Sequence, residues 1–122
     1  MKVLLVSNII IYLGSDKAKT IEKFLINKEL YVSVITKVET LGYHKISETE
    51  KKFLNLVFSK IEVIPLEEEI IEATIKLKQQ KKISLGDSFI AATALVNKMP
   101  LVTNNTEDFE NIKGLKIINP FM

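Results

Sequence analysis

Apolar and polar positions fall into alternating blocks along the chain. Val3 to Val6 is a short, unbroken apolar run, β-branched and Leu-rich, with no alternation. That pattern suits a strand buried on both faces, as in a parallel sheet covered by helices. Ser7 and Asn8 break the run with two small polar side chains, and read most simply as a polar turn after a core strand. Ala18 to Asn27 places Ile21, Phe24 and Leu25 at helical spacing. Leu30 to Ile35 is short and β-rich, a second strand. Thr36 to Tyr43 begins a helix. Ser47 to Lys60 continues helical, with Phe53, Leu54, Leu56, Val57 and Phe58 on a broad apolar face. Glu62 to Pro65 is a brief third strand. Leu66 to Lys82 reads as a helix with Glu67, Glu68 and Glu69 in its first turn and Lys76, Lys78, Lys81 and Lys82 towards its end, the polarity the helix macrodipole favours. Ser84 to Lys98 is a helix apolar almost throughout, predicted to be buried. Pro100 to Thr103 is a fourth strand, Asn105 to Ile112 a short helix or turn, and Gly114 to Ile118 a fifth strand.

Strands alternating with helices predict one α/β domain over residues 1–122, with a central, mostly parallel five-stranded sheet and helices on both faces. In such sheets ligands bind beyond the carboxyl ends of the strands, which puts Ser7 and Asn8 at the mouth of any site. Composition narrows the chemistry. Net charge is +2, so bulk charge demands no nucleic-acid partner. All 17 basic residues are Lys, so any phosphate contact uses point charges rather than bidentate forks. With no Cys, disulfides and thiolate metal sites are excluded, and the cytoplasm is the default compartment. The apolar start lacks a signal-peptide cleavage pattern. No run approaches the roughly 20 apolar residues of a membrane span.

Three carboxylates stand apart from the solvated acids of Glu67 to Glu72. Glu39 follows the second strand, Asp87 opens the buried helix and Asp108 follows the fourth strand. A plain alternative competes for each. Thr36-x-x-Glu39, Ser84-x-x-Asp87 and Asn105-x-x-Asp108 all have capping-box spacing, as does Ser47-x-x-Glu50, where no chemistry is expected. Asp is short for the reciprocal bond, which weakens that alternative for Asp87 and Asp108. Acids gathered at one sheet edge repel one another, and a divalent cation relieves the repulsion. Hard oxygen ligands suit Mg²⁺ or Mn²⁺. Lone His44 reads as a surface residue near a helix end, and neither a Walker loop nor a G-x-G-x-x-G run is present. The apolar side chains Phe53, Phe58, Ile70, Ile71 and Leu77 exceed what a small domain easily covers, which suggests a homodimer.

Four segments carry a resemblance over nearly the full length. They are Met1 to Tyr12, Ser33 to Glu39, Leu85 to Ala94 and Leu101 to Phe109. In this order and spacing the chain resembles a PIN domain of the VapC toxin type. The resemblance implies a three-layer PIN-like fold and a metal-dependent endoribonuclease of the toxin–antitoxin type, cleaving single-stranded RNA and neutralised by a cognate antitoxin. By position, Glu39 and Asp87 are implied as catalytic metal ligands for Mg²⁺ or Mn²⁺. Asp108 or the Asn105 position supplies the last member, with Ser7, Asn8 and Thr103 as supporting polar groups. One departure stands out. The family carries an Asp immediately before the Ser/Thr-Asn pair, and here that position is Val6. An impaired enzyme is therefore expected, whether from a naturally degenerate site or from a substitution. The alternative is a catalytically inactive PIN-fold domain that binds RNA or an antitoxin. A phospho-receiver-like domain is remote, because the paired acids after the first strand are missing.

Overall fold

The computed structural model describes every residue from Met1 to Met122. Five strands form one sheet: β1 (Lys2–Leu5), β2 (Glu29–Ser33), β3 (Glu62–Ile64), β4 (Leu101–Val102) and β5 (Ile117–Ile118). Their order is β3-β2-β1-β4-β5, and every pairing is parallel rather than merely most of them. Val3, Leu4 and Leu5 are all 0% exposed. Successive strand residues point to opposite faces, so β1 is covered on both sides, as its unbroken apolar run requires. Each Leu or Ile buried in this way contributes roughly 1.5–3 kcal/mol. Leu4 lies opposite Tyr31 of β2 on one side and Leu101 of β4 on the other. From β1 the chain runs outward through β2 and β3, then returns to β4 on the opposite flank. The gap between β1 and β4 is thus the point where strand order reverses, the place where open α/β sheets bind ligands.

Six helices surround the sheet: α1 (Ser7–Tyr12), α2 (Ala18–Leu25), α3 (Val34–Leu41), α4 (Glu48–Ser59), α5 (Glu68–Gln80) and α6 (Leu85–Val96), with a 3₁₀ turn at Thr106–Phe109. Two boundaries differ from the sequence reading, and both bear on the site. Ser7 and Asn8 are not a turn but the first residues of α1. Val6 ends the strand as the N-cap of that helix, its carbonyl accepting from the N–H groups of Ile9 (3.1 Å) and Ile10 (3.4 Å). Second, β2 stops at Ser33, whose Oγ accepts from the Ile35 N–H at 3.1 Å and caps α3. A hydroxyl at the N-cap outweighs the strand preference of Val34 and Ile35.

The last two helices pack closely because α6 turns Ala91, Ala92 and Ala94 into the core beside Ile90. Buried hydroxyls there bond within their own helices, Thr93 to Phe89 O and Thr74 to Ile70 O, both at 2.7 Å. Of the apolar side chains expected to seek a partner, Phe58, Ile70 and Leu77 belong to the core. Phe53 and Ile71 are half-buried.

Candidate functional site

The carboxyl edge of the sheet opens into a cleft of about 300 Å³ between β1 and β4. Ser7 and Asn8 enter it from the start of α1, Glu39 from α3, Asp87 from the first turn of α6, and Thr103, Asn105 and Asp108 from the segment after β4. All seven candidate polar residues therefore line one cavity, brought together from four separate stretches of chain. Val6, Ile11, Ile90 and Phe109 supply the apolar wall.

Glu39 is not a capping acid. The N-cap of α3 is Ser33 rather than Thr36, so Glu39 lies well inside the helix, one turn after Thr36. The Ser7 hydroxyl stands 2.7 Å from Glu39 Oε1 and 3.4 Å from Thr36 Oγ1, and donates to the carboxylate. A hydrogen bond to an ionised acceptor is among the stronger kinds, so the start of α1 fixes where Glu39 points. Asp87 keeps half of the cap pattern: its N–H donates to Ser84 Oγ at 3.1 Å. Burial pushes its carboxyl above the usual Asp range. A hydrogen bond from Ser84 partly offsets this, while the negative charges of Asp108 and Glu39 add to the rise. Two carboxylates from distant parts of the chain are thus felt at the third.

Thr103 is fully buried and holds the next loop, its Oγ accepting from the Asn105 N–H at 3.0 Å. Asn105 in turn accepts on its backbone carbonyl from the Asp108 N–H at 3.2 Å, but its side chain makes no cap bond. Asn104 Nδ2 donates to Tyr12 Oη at 3.2 Å, tying this loop to the end of α1. Position 6 is the discordant member. Val6 is 5% exposed and part of the core, and α1 begins without any side-chain cap. No three acidic or histidine side chains close on a single point that could grip an ion.

The PIN domain pattern matches residues 3–115. The chain belongs to the PIN domain family. Ribonuclease VapC1 of Methanocaldococcus jannaschii is 37% identical over 94 residues, which cover 70% of this chain and 68% of that protein. The toxin–antitoxin complex from Klebsiella pneumoniae shares the fold at a TM-score of 0.80 with 29% identity, over 97% of both chains. VapBC-1 from nontypeable Haemophilus influenzae does so at 0.79 with 27% identity, over 100% of both. The resemblance carried by the four sequence segments is therefore a true family relation. Around the PIN domain cleft, sequence reasoning missed the placement of Thr36 beside Ser7 and the closeness of Gly86 to Glu39. The signal for Thr36 was present: it stands one helical turn before Glu39, on the same face.

Proposed function

We propose that this PIN domain is a metal-dependent endoribonuclease of the toxin–antitoxin type, cleaving single-stranded RNA, with its activity held low by Val6. One observation carries the reading. Glu39, Asp87 and Asp108 share a cleft at the carboxyl edge of a parallel sheet, and the charges of Asp108 and Glu39 add to the rise that burial causes at Asp87. Such a donor set of hard oxygens fits Mg²⁺ or Mn²⁺. Glu39, Asp87 and Asp108 would hold the ion, and a bound ion of this kind activates water and stabilises an in-line phosphoryl displacement. The chain's own residues prepare the place. Ser7 orients Glu39, Ser84 anchors the backbone of Asp87, and Thr103 fixes the loop bearing Asn105 and Asp108. The acids do not close on one point, and with Val6 in place of a further acid the proposed ion is weakly held. Position 6 is where a fourth carboxylate would enter the cleft wall.

An antitoxin partner fits the surface beside the cleft. Ile11, 52% exposed, lines both the acid cleft and an apolar groove of about 610 Å³ formed with Leu13, Phe53 and Leu54. A segment docked there would reach the cleft mouth. A homodimer remains part of the proposal through exposed Leu56 on α4 and Ile75 on α5, and a monomeric mass at micromolar concentration would count against it. No helix is long and apolar enough to cross a membrane, and the cytoplasm is the proposed compartment.

The test is cleavage of single-stranded RNA, with and without Mn²⁺, by the chain itself and by Val6→Asp. The acid should raise metal-dependent cleavage by about 100-fold or more, since even outer partners of metal ligands matter 10–100-fold. Strong metal-dependent cleavage by the Val6 chain would make the fourth acid dispensable. A silent Val6→Asp protein would favour the second reading, a PIN-fold domain that binds RNA or antitoxin without cutting. That reading rests on the buried, apolar Val6 side chain.

A further inference from the structure

Gly86 is the second residue of α6 and has ordinary helical backbone. Nothing in its conformation asks for glycine, and glycine weakens a helix relative to alanine. Its surroundings differ from those of the other helix-end glycine. At Gly42 a β-carbon would run into the backbone carbonyl of Val38, which cannot move without the helix. At Gly86 it would overlap Oε2 of Glu39 and stand 3.3 Å from that residue's Cδ. The Glu39 carboxylate thus rests in the space that a side chain at residue 86 would fill, with Ser7 donating to its other oxygen. The start of α6, with its N-terminal partial positive charge, also favours an anion lying against it.

We infer that Gly86 is a positioning residue for Glu39: its missing side chain is the seat of the carboxylate, and the Ser7 hydroxyl is the clamp on the opposite side. Placing Glu39 against α6 sets it beside Asp87, the next residue of that helix. The inference rests on the metal-site reading above for its functional consequence, but on geometry alone for its structural one. A methyl group at residue 86 meets only the far end of a flexible side chain, so the fold accommodates it while the carboxylate swings away.

The experiment compares Val6→Asp with Val6→Asp/Gly86→Ala. The thermal midpoint of the metal-free protein should hold or rise, because alanine suits the helix better. Mn²⁺ affinity, measured by calorimetry, should fall about 10–100-fold, the cost of losing a group that orients a ligand. Rescue by a shorter acid separates positioning from general damage. In a Glu39→Asp background the same Gly86→Ala change should weaken Mn²⁺ binding by less than about threefold, because the retracted carboxylate no longer reaches the methyl group. A loss of affinity equal in both backgrounds, or none in either, overturns the inference. If the Val6→Asp protein binds no Mn²⁺ at all, the metal-site reading is what fails. The crystal structure of Gly86→Ala then decides the inference by itself. A Ser7–Glu39 hydrogen bond kept intact overturns it, and a displaced carboxylate supports it.

Discussion

At the starts of α4 and α6 a serine N-cap is followed three residues later by an acid, and the two acids have opposite surroundings. Ser47 and Glu50 close a full capping box, with Glu50 N–H donating to Ser47 Oγ at 3.1 Å and Ser47 N–H donating to Glu50 Oε1 at 3.0 Å. Those bonds, the backbone one foremost, hold the Glu50 carboxyl below its usual range. At Ser84 and Asp87 only the first of the two bonds forms, and the carboxyl is pushed the other way by burial and by two neighbouring acids. Identical spacing thus yields a closed surface cap in one place and a crowded, partly buried carboxylate in the other. The difference lies in side-chain length and in what the fold brings alongside. Asp is one methylene too short to reach back, so its charge is left facing the cleft.

The largest expected separation is in activity. In the Val6→Asp background, Asp87→Asn should lower RNA cleavage by about 100-fold or more, as its proposed role as a metal ligand requires. Glu50→Ala in that background should leave cleavage within about twofold, since distant independent sites do not couple. Equal losses in the two variants would erase the distinction between the helix starts.

A smaller effect, opposite in sign between the sites, is expected in the stability of the metal-free protein. Asp87→Asn should raise stability at neutral pH by less than about 1 kcal/mol, the scale of solvent-screened charge interactions. Glu50→Ala should lower it, and thermal unfolding of both variants tests the pair. The pH dependence follows from the directions of the shifts. The Asp87 penalty sets in as pH rises above the unfolded-chain value and is complete once pH passes the raised folded value. The Glu50 contribution is complete above the unfolded-chain value and is lost as pH falls through the lowered folded value. Thermal midpoints of the chain and the two variants, followed across the carboxylate range, should converge for Asp87→Asn at low pH and diverge for it at neutral pH. Smallest of all, added salt should draw the Asp87 titration part of the way back by screening Asp108 and Glu39, and should leave the bond-driven Glu50 titration in place. Carboxylate NMR reads both.

Much of this fold was open to inspection in the sequence, because its elements are written in apolar blocks. Every strand and the long helices fall where Val3 to Val6, the Glu-to-Lys gradient of α5 and the Ala-rich α6 put them, within a few residues. What the pattern hid was local. Ser7 and Asn8 read as a turn, yet with Ile9 to Tyr12 they form α1, whose inner face buries Ile9 and Ile10. Val34 and Ile35 concealed the cap at Ser33, and with it the position of Glu39 inside α3. The convergence of Glu39, Asp87 and Asp108 could be guessed from strand ends. The Ser7 clamp and the seat at Gly86 could not, since both join residues about 30 to 50 positions apart through side-chain geometry that no periodicity encodes.

The place of β1 in the sheet has a consequence for how the protein is made. Its first partner, β2, leaves the ribosome soon after it, but its other partner, β4, begins at Leu101. Asn105 and Asp108 come later still. The nascent chain therefore carries its first hundred residues ahead of the second wall of the cleft. Long-range pairing of this kind is the slow part of folding. Until that segment emerges the cleft stays open on one side, and the nascent chain holds Glu39 and Asp87 without the loop that brings Asp108 to them.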